Sequence, residues 1–207
     1  MLQSLAGLLQ IAETRGTGPA TTFEPAHLLL SFITIGESGT IGRGALAAQS
    51  GLGEGAIRTI IKKLRRNGYV DANASGCFLT SVGRRVYESI EKMLSPMVLM
   101  RDSRLGMGGT QAALAVRGGS KAVRYGIEQR DSAIRVGASG TITYVLKAGK
   151  IAIPGGSDDC EKDFPDKGWS ELRRKLDPGN SDAIILCGAQ RETLAMLGAI
   201  AAALTLL

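Results

Sequence analysis

The stretch from Ile41 to Val70, IGRGALAAQSGLGEGAIRTIIKKLRRNGYV, constrains this chain more than any other. It reads as two short helices around a tight turn. The first covers about Arg43 to Gln49, Ser50-Gly51-Leu52-Gly53 turns the chain, and the second runs from about Glu54 to Asn67. Glycines at the corner supply the backbone freedom a sharp inter-helix turn needs. In the second helix Ile57, Ile60, Ile61 and Leu64 fall at i, i+3, i+4 and i+7, one apolar stripe at the helical period. Arg58, Lys62, Arg65 and Arg66 lie off that stripe, with Thr59 and Lys63 flanking it. One face is built to pack and the other to meet something negative. Gly68 then ends the helix.

The flanks complete a recognisable unit. Glu24 to Glu37 reads as a helix with Pro25 in its first turn and Gly36 near its end. Gly39 to Gly42 reads as a short strand. After Gly68, Tyr69 to Asp71 begins a strand, Asn73-Ala74-Ser75-Gly76 has hairpin-turn chemistry, and Cys77 to Thr80 returns. Ser81 is read as the cap of a further helix, Val82 to Met93. Helix, strand, helix, helix, wing, helix is a winged helix-turn-helix, whose second motif helix enters the DNA major groove. The phrase GRGALAAQSGLGEGAIRTIIKKLRRNGYV resembles the winged-helix regulators common in archaea and bacteria, over about a third of the chain. That resemblance implies a transcription regulator that binds double-stranded DNA.

Charge supports this locally rather than globally. The net charge is +6 and the pI about 9.4, which favours polyanionic partners. Residues 1–96 and 97–207 each carry +3, but Arg58 to Arg66 holds five basic residues and no acid. Arg58, near the start of the second helix, is the residue expected at a base edge. Lys62, Lys63, Arg65 and Arg66 are expected on phosphate, and Arg43 as a backbone clamp. Asn73 and Ser75 at the wing tip either reach the minor groove or a phosphate, or simply make the turn. Arg84 and Arg85 read as solvent-exposed rather than as a further clamp.

The rest divides at Ser95-Pro96. Residues 1–22 read as an N-terminal helix (Leu2 to Glu13) and a Gly/Thr/Pro linker, 23–96 as the winged helix-turn-helix, and 97–207 as an α+β domain for ligand sensing or dimerisation. The linker length places the first helix outside the reading unit, on a second subunit. The third part opens with a strand, Met97 to Arg101. From Gln111 the order is strand, a long helix (Lys121 to Val136), a hairpin around Ala148-Gly149, a helix (Trp169 to Leu176), a strand (Ala183 to Cys187) and a last helix (Gln190 to Leu206). That βαββαβ order with an added helix predicts a ferredoxin-like domain. The segment RYGIEQRDSAIRVGASGTITYVLKAGKIAIPG, Arg124 to Gly155, is similar to an uncharacterised domain found behind winged helices in archaeal proteins; the resemblance implies no known activity.

Other chemistry is sparse. Arg117-Gly118-Gly119-Ser120-Lys121 has the form of an anion nest between strand and helix, so these residues are ligand-binding candidates, although any such corner can use glycine. Arg130 and Asp131 are further candidates for a pocket, against the plainer reading of an intra-helix pair. The acidic run from Asp158 to Asp166 lacks the glycine and terminal glutamate positions of a calcium loop and reads as a solvated loop. His27 is the only histidine, which argues against a histidine metal site. Cys77, Cys160 and Cys187 form no CxxC, so no zinc ribbon or disulfide framework is expected. Cys187 reads as core and Cys160, in a polar loop, as the one with a chance of reactivity. No P-loop or GxSxG motif occurs, and no catalytic residues, metal or cofactor are expected.

The N-terminus carries no basic run ahead of its apolar residues, and the apolar stretch from Thr193, about 15 residues, is short of the roughly 20 a membrane span needs and reads as a buried or interface helix. A cytoplasmic protein without a membrane partner is expected. Reading two half-sites calls for a homodimer, with the first and last helices as interface elements. The alternative is a small-molecule enzyme, for example a kinase, with an appended winged helix, its glycine-rich stretches cradling phosphate.

Overall fold

The computed structural model describes residues 2–13, 23–101, 103–107 and 109–207. The linker read at Thr14 to Thr22 lies outside them. The fold is α+β, helices first and a five-stranded sheet after, and the chain divides into two compact units, one up to Ile90 and one from Glu91 on.

The first unit holds α1 (Leu2–Glu13), α2 (Pro25–Ser38), α3 (Arg43–Ser50), α4 (Glu54–Arg66), the hairpin β1 (Val70–Asn73) and β2 (Gly76–Leu79), and α5 (Ser81–Glu91). This is the element order of a winged helix with one helix added in front. The short strand expected before α3 is a single bridge, Ile41 to Cys77, which places Ile41 beside β2. The cap of α5 is Thr80 rather than Ser81. Its Oγ1 accepts the Gly83 N–H and donates to the Gly68 carbonyl, so one side chain ends α4's exit and starts α5. The core is Leu28, Leu29, Phe32, Ile35, Leu46, Ile57, Ile60 and Leu64, all nearly inaccessible.

The first helix corrects an expectation. It does not stand apart from the reading unit: α1 packs on α2 and α4, with Leu5, Leu8 and Ile11 buried. Leu5, Leu8 and Leu9, at helical spacing, share one apolar side, but spacing cannot tell an intrachain partner from a second subunit.

The second unit contains β3 (Val98–Met100), β4 (Thr110–Val116), a 3-10 turn (Gly119–Ala122), α6 (Ile127–Arg135), β5 (Gly140–Lys147), β6 (Lys150–Ala152), α7 (Cys160–Asp163), α8 (Gly168–Leu176), β7 (Ala183–Ala189) and α9 (Glu192–Leu204). Its sheet order is β3-β4-β7-β5-β6, every neighbouring pair antiparallel. The sheet is therefore not ferredoxin-like. That arrangement would seat a strand of the β5–β6 hairpin beside β4, whereas here β7 fills the gap between β4 and β5. The reason is in the residues: β7, AIILCGA, is buried along its whole length, and such a run suits a central strand covered on both faces. The three-residue β6 begins with an exposed lysine and belongs at an edge.

One sheet face, with Ala113, Tyr144, Leu146, Ile184 and Leu186, packs with Trp169, Leu172 and Leu176 of α8. The opposite face meets α6 and α9. α9 lies so close that a Cβ on Gly198 would stand 2.5 Å from Cys187 Sγ and 2.7 Å from the Ala138 Cβ. The last helix is thus a core element, buried at Ala195, Leu197, Ala199, Ile200 and Ala202, which is the buried rather than the interface alternative of its apolar composition. No described helix is long and apolar enough to cross a membrane.

The long helix expected over Lys121 to Val136 is also corrected. The chain makes a 3-10 turn, leaves helical geometry at Val123, and restarts at Gly126, whose φ of +75° only glycine adopts without strain. Apolar spacing ran through this break because Val123 and Ile127 serve two different elements.

Candidate nucleic-acid interface

The turn between α3 and α4 ends α3 on Gly51, at φ +67°, and starts α4 behind Gly53. Three isoleucine and leucine side chains, Ile57, Ile60 and Leu64, then anchor α4 in the core. The fourth residue of the expected stripe, Ile61, is only half-buried; it floors the space between α4 and the hairpin. Two hollows of about 570 and 330 Å³ lie on either side of that floor. The first is lined by Arg58, Lys62, Arg65, Arg66 and Thr80, the second by Arg43, Arg58, Asn73, Ser75 and Gly42.

The basic residues divide sharply once their partners are traced. Arg58, Lys62 and Arg66 are exposed and have no hydrogen-bond or ion-pair partner among the described residues. Arg43 Nε bonds Glu54 Oε2 at 3.2 Å and straps α3 to the start of α4. Arg65 Nη2 bonds Asp71 Oδ1 at 3.0 Å and ties the end of α4 to β1. The Ala72 N–H and then Arg65 hold the Asp71 carboxyl below the usual carboxylate range.

Lys63 is placed elsewhere altogether. Its Nζ donates to the Ile11 carbonyl at 2.8 Å and the Ala12 carbonyl at 3.3 Å, and stands 5.6 Å from the Phe23 ring centroid. A cation on the last carbonyls of α1 is a helix C-terminal cap. Burial against that end lowers the Lys63 pKa. At 100° per residue Lys63 lies off the line of Arg58, Lys62 and Arg66, but spacing does not name its partner helix.

The remaining expected contacts are placed as follows. Thr59 Oγ1 bonds the Gly55 carbonyl and is exposed. Asn73 Oδ1 accepts the N–H groups of Ser75 and Gly76 at 2.8 and 3.2 Å, so its carbonyl makes the turn. Ser75 is exposed at the tip. Arg84 lies 5.5 Å from the Tyr87 ring centroid. His27 closes a capping box with Glu24, its Nδ1 accepting the Glu24 N–H at 3.1 Å, and burial lowers its pKa.

In the second unit the RGGSK corner is already filled. Asp182 Oδ1 accepts the Gly118 N–H at 2.8 Å, and Oδ2 accepts Arg117 Nη1 at 2.9 Å and the Gly179 N–H at 2.9 Å. Arg117 also donates to the Leu176 and Asp177 carbonyls, clamping the end of α8. Burial alone would raise the Asp182 pKa, but these donors together hold it below the ordinary value. The nest therefore carries a carboxylate of its own chain. Gly119 sits against Val116. Ser120 and Lys121 line a cavity of about 740 Å³ together with Val123, Lys147, Ile153 and Asn180. Lys121 and Lys147 have no partner among the described residues. Two of the three non-glycine residues at positive φ among the described residues, Ala148 and Ser181, line the same cavity. Arg130 and Asp131 are paired to each other at 3.3 Å on the surface.

The loop cysteine expected to have a chance of reactivity is buried. Desolvation raises the thiol pKa of Cys160, and that of Cys187 is pushed up to about 11. No group of His, Cys, Asp and Glu among the described residues could hold a metal ion.

Comparison with known proteins finds a separate match over each part of the chain. Residues 28–94 match the model of a CggR N-terminal DNA binding domain. Residues 107–206 match a domain of unknown function, DUF4443. No curated protein matches the chain. Among solved structures, the hypothetical protein PH0730 from Pyrococcus horikoshii OT3 is similar, with a TM-score of 0.70 and 24% identity over 87% of this chain and 91% of that one. The family match over the first unit supports a DNA-binding regulator, and the solved structure shows a shared fold.

Proposed function

We propose that the chain is a transcription regulator that reads double-stranded DNA with α4 in the major groove and the β1–β2 hairpin beside it. One observation carries this reading: three cations without a partner among the described residues, Arg58, Lys62 and Arg66, share one exposed stripe of a helix inside the segment that matches a DNA-binding domain. Arg58 reads a base edge; Lys62 and Arg66 sit on phosphate. Arg43 and Arg65 hold α3, α4 and the hairpin in register through Glu54 and Asp71, and are free to exchange those exposed carboxylates for phosphate. Thr59 and Ser75 flank the contact, and Asn73 shapes the tip that presents Ser75. Lys63 supports the helix from behind.

The regulator acts as a homodimer on two half-sites. Its second unit takes a small anionic effector in the cavity of Lys121 and Lys147, whose walls Val123 and Ile153 suit an apolar body. Nothing in the comparisons supports the enzyme alternative.

The test is a selection of bound fragments from random duplex DNA, followed by affinity measurements at two salt concentrations. A recovered two-fold sequence motif, bound more weakly by Arg58→Ala, supports the reading. Absence of binding at low salt, or an Arg58→Ala variant that binds and selects as the parent does, sinks it. For the cavity, a thermal-shift series of carboxylates and phosphates on the parent and on Lys121→Ala/Lys147→Ala decides whether an anion binds there.

A further inference from the structure

The helix α6 is amphipathic the wrong way round. Its inward residues are Gln129, which is 2% exposed, and Ala133. At 100° per residue, Ile127, Asp131 and Ile134 fall within about 60° of one another on the opposite side, with Arg130 about 40° beyond that arc on the Ile134 side. Ile127 is 53% exposed and Ile134 46%. Tyr125, one residue before the Gly126 cap, is 71% exposed. Large apolar side chains placed on the outward line of a short helix need an explanation that fold stability does not give.

The order of this face is self-complementary. Ile127 lies as far before the midpoint between Arg130 and Asp131 as Ile134 lies after it. Turned about a two-fold axis through that midpoint, the helix meets its own copy antiparallel. Ile127 then faces Ile134 of the second copy, and Arg130 faces Asp131 of the second copy, each contact occurring twice. That is the defining property of an isologous interface. The exposed Arg130–Asp131 pair within one chain, at 3.3 Å between neighbours in sequence, would exchange for two pairs between chains.

We infer that the outward face of α6 is the homodimer interface, with a second copy of this chain as its occupant and the two-fold axis between Arg130 and Asp131. The inference takes its purpose from the two half-site reading proposed above, while its geometry rests on α6 alone. It also supplies what α1 and α9 do not, since both are packed inside their own units.

Sedimentation of the full chain without DNA tests it. The parent sediments as a dimer. Ile127→Asp and Ile134→Asp each raise the dimer dissociation constant at least about tenfold by placing a charge in an apolar contact. Arg130→Asp and Asp131→Arg each set like charges opposite one another and weaken the dimer about tenfold. The double reversal Arg130→Asp/Asp131→Arg restores it to within about threefold. Rescue by the double reversal cannot come from misfolding of the single variants. A parent that remains monomeric up to millimolar concentration, a dimer that ignores all of these changes, or a double reversal as weak as the singles overturns the inference. A monomer that still selects DNA leaves the operator reading standing, and a dimer that binds no DNA leaves the interface standing.

Discussion

Arg58, Lys62 and Arg66 on α4, and Arg117 after β4, are cations beside glycine-rich turns, and by residue type the two sites look alike. Their surroundings differ. Every donor on the α4 stripe is without a partner among the described residues, whereas Arg117 spends three bonds on Asp182, Leu176 and Asp177 and Gly118 a fourth on Asp182. Lys63 shows the same distinction within one helix, two positions from Arg65 and already committed to the end of α1. Residue type and spacing identify where a charge can be presented. The absence of an internal counter-charge identifies where it is presented to something else.

The contrast breaks most easily at Asp182. Its side chain is 9% exposed and gathers Arg117, Gly118 and Gly179. Asp182→Ala leaves two backbone donors and a guanidinium short of a partner and is expected to cost about 3 kcal/mol in denaturant unfolding. The fluorescence of Trp169, the only tryptophan and buried in the second unit, reports that unfolding. An Asp182→Ala protein as stable as its parent, and gaining affinity for anions at this corner, would turn the corner back into a site.

On α4 the expectation is reversed: large effects on DNA, small ones on stability. Arg58→Ala should weaken specific DNA binding by about 1–3 kcal/mol and relax preference at one base pair. Its unfolding free energy should stay within about 0.5 kcal/mol of the parent, because an exposed, unpaired side chain is removed. Equal losses for cognate and random DNA would move Arg58 from base edge to phosphate.

Salt dependence sharpens the comparison further. Each of Lys62→Ala and Arg66→Ala should lower the slope of log affinity against log salt by about 0.9. Lys63→Ala should leave that slope alone and instead cost about 1 kcal/mol of stability through the lost α1 cap. A slope change for Lys63→Ala would mean that its bond to α1 is given up on DNA.

These cases also mark what sequence alone could and could not supply. The α3–α4 corner was legible because glycine positions, an apolar stripe and a basic stripe all fall within thirty residues and depend on local geometry. The hairpin was legible for the same reason, Asn73 to Gly76 being both turn and cap. Partners distant in the chain were not. Lys63 and Ile11 are far apart in sequence, as are Arg117 and Asp182, and no periodicity links them. The sheet order was misread because element order leaves open which strand fills the middle, although the unbroken apolar run of β7 against the short, lysine-led β6 held that information. The break before α6 was hidden because Gly126 reads as a tolerated helical glycine until its φ is known.

The smallest expected effect separates the two units by pH. Burial lowers the His27 pKa in the folded protein, so the unfolded chain binds a proton more readily near the ordinary value of about 6.5. Stability is then full above that value and falls as pH drops through it towards the folded value. The Asp182 carboxyl is likewise depressed, but its window opens lower: its contribution is present above about pH 3.9 and is lost as pH falls from there through the folded value. Mild acid should therefore loosen the first unit before the second. Unfolding followed by helical circular dichroism should lose stability between pH 7.5 and 5.5, while Trp169 fluorescence stays level. His27→Gln should remove that loss, since an amide can still accept the Glu24 N–H and does not titrate. A loss that persists in His27→Gln, or that appears first at Trp169, would place the titrating group outside the α2 capping box.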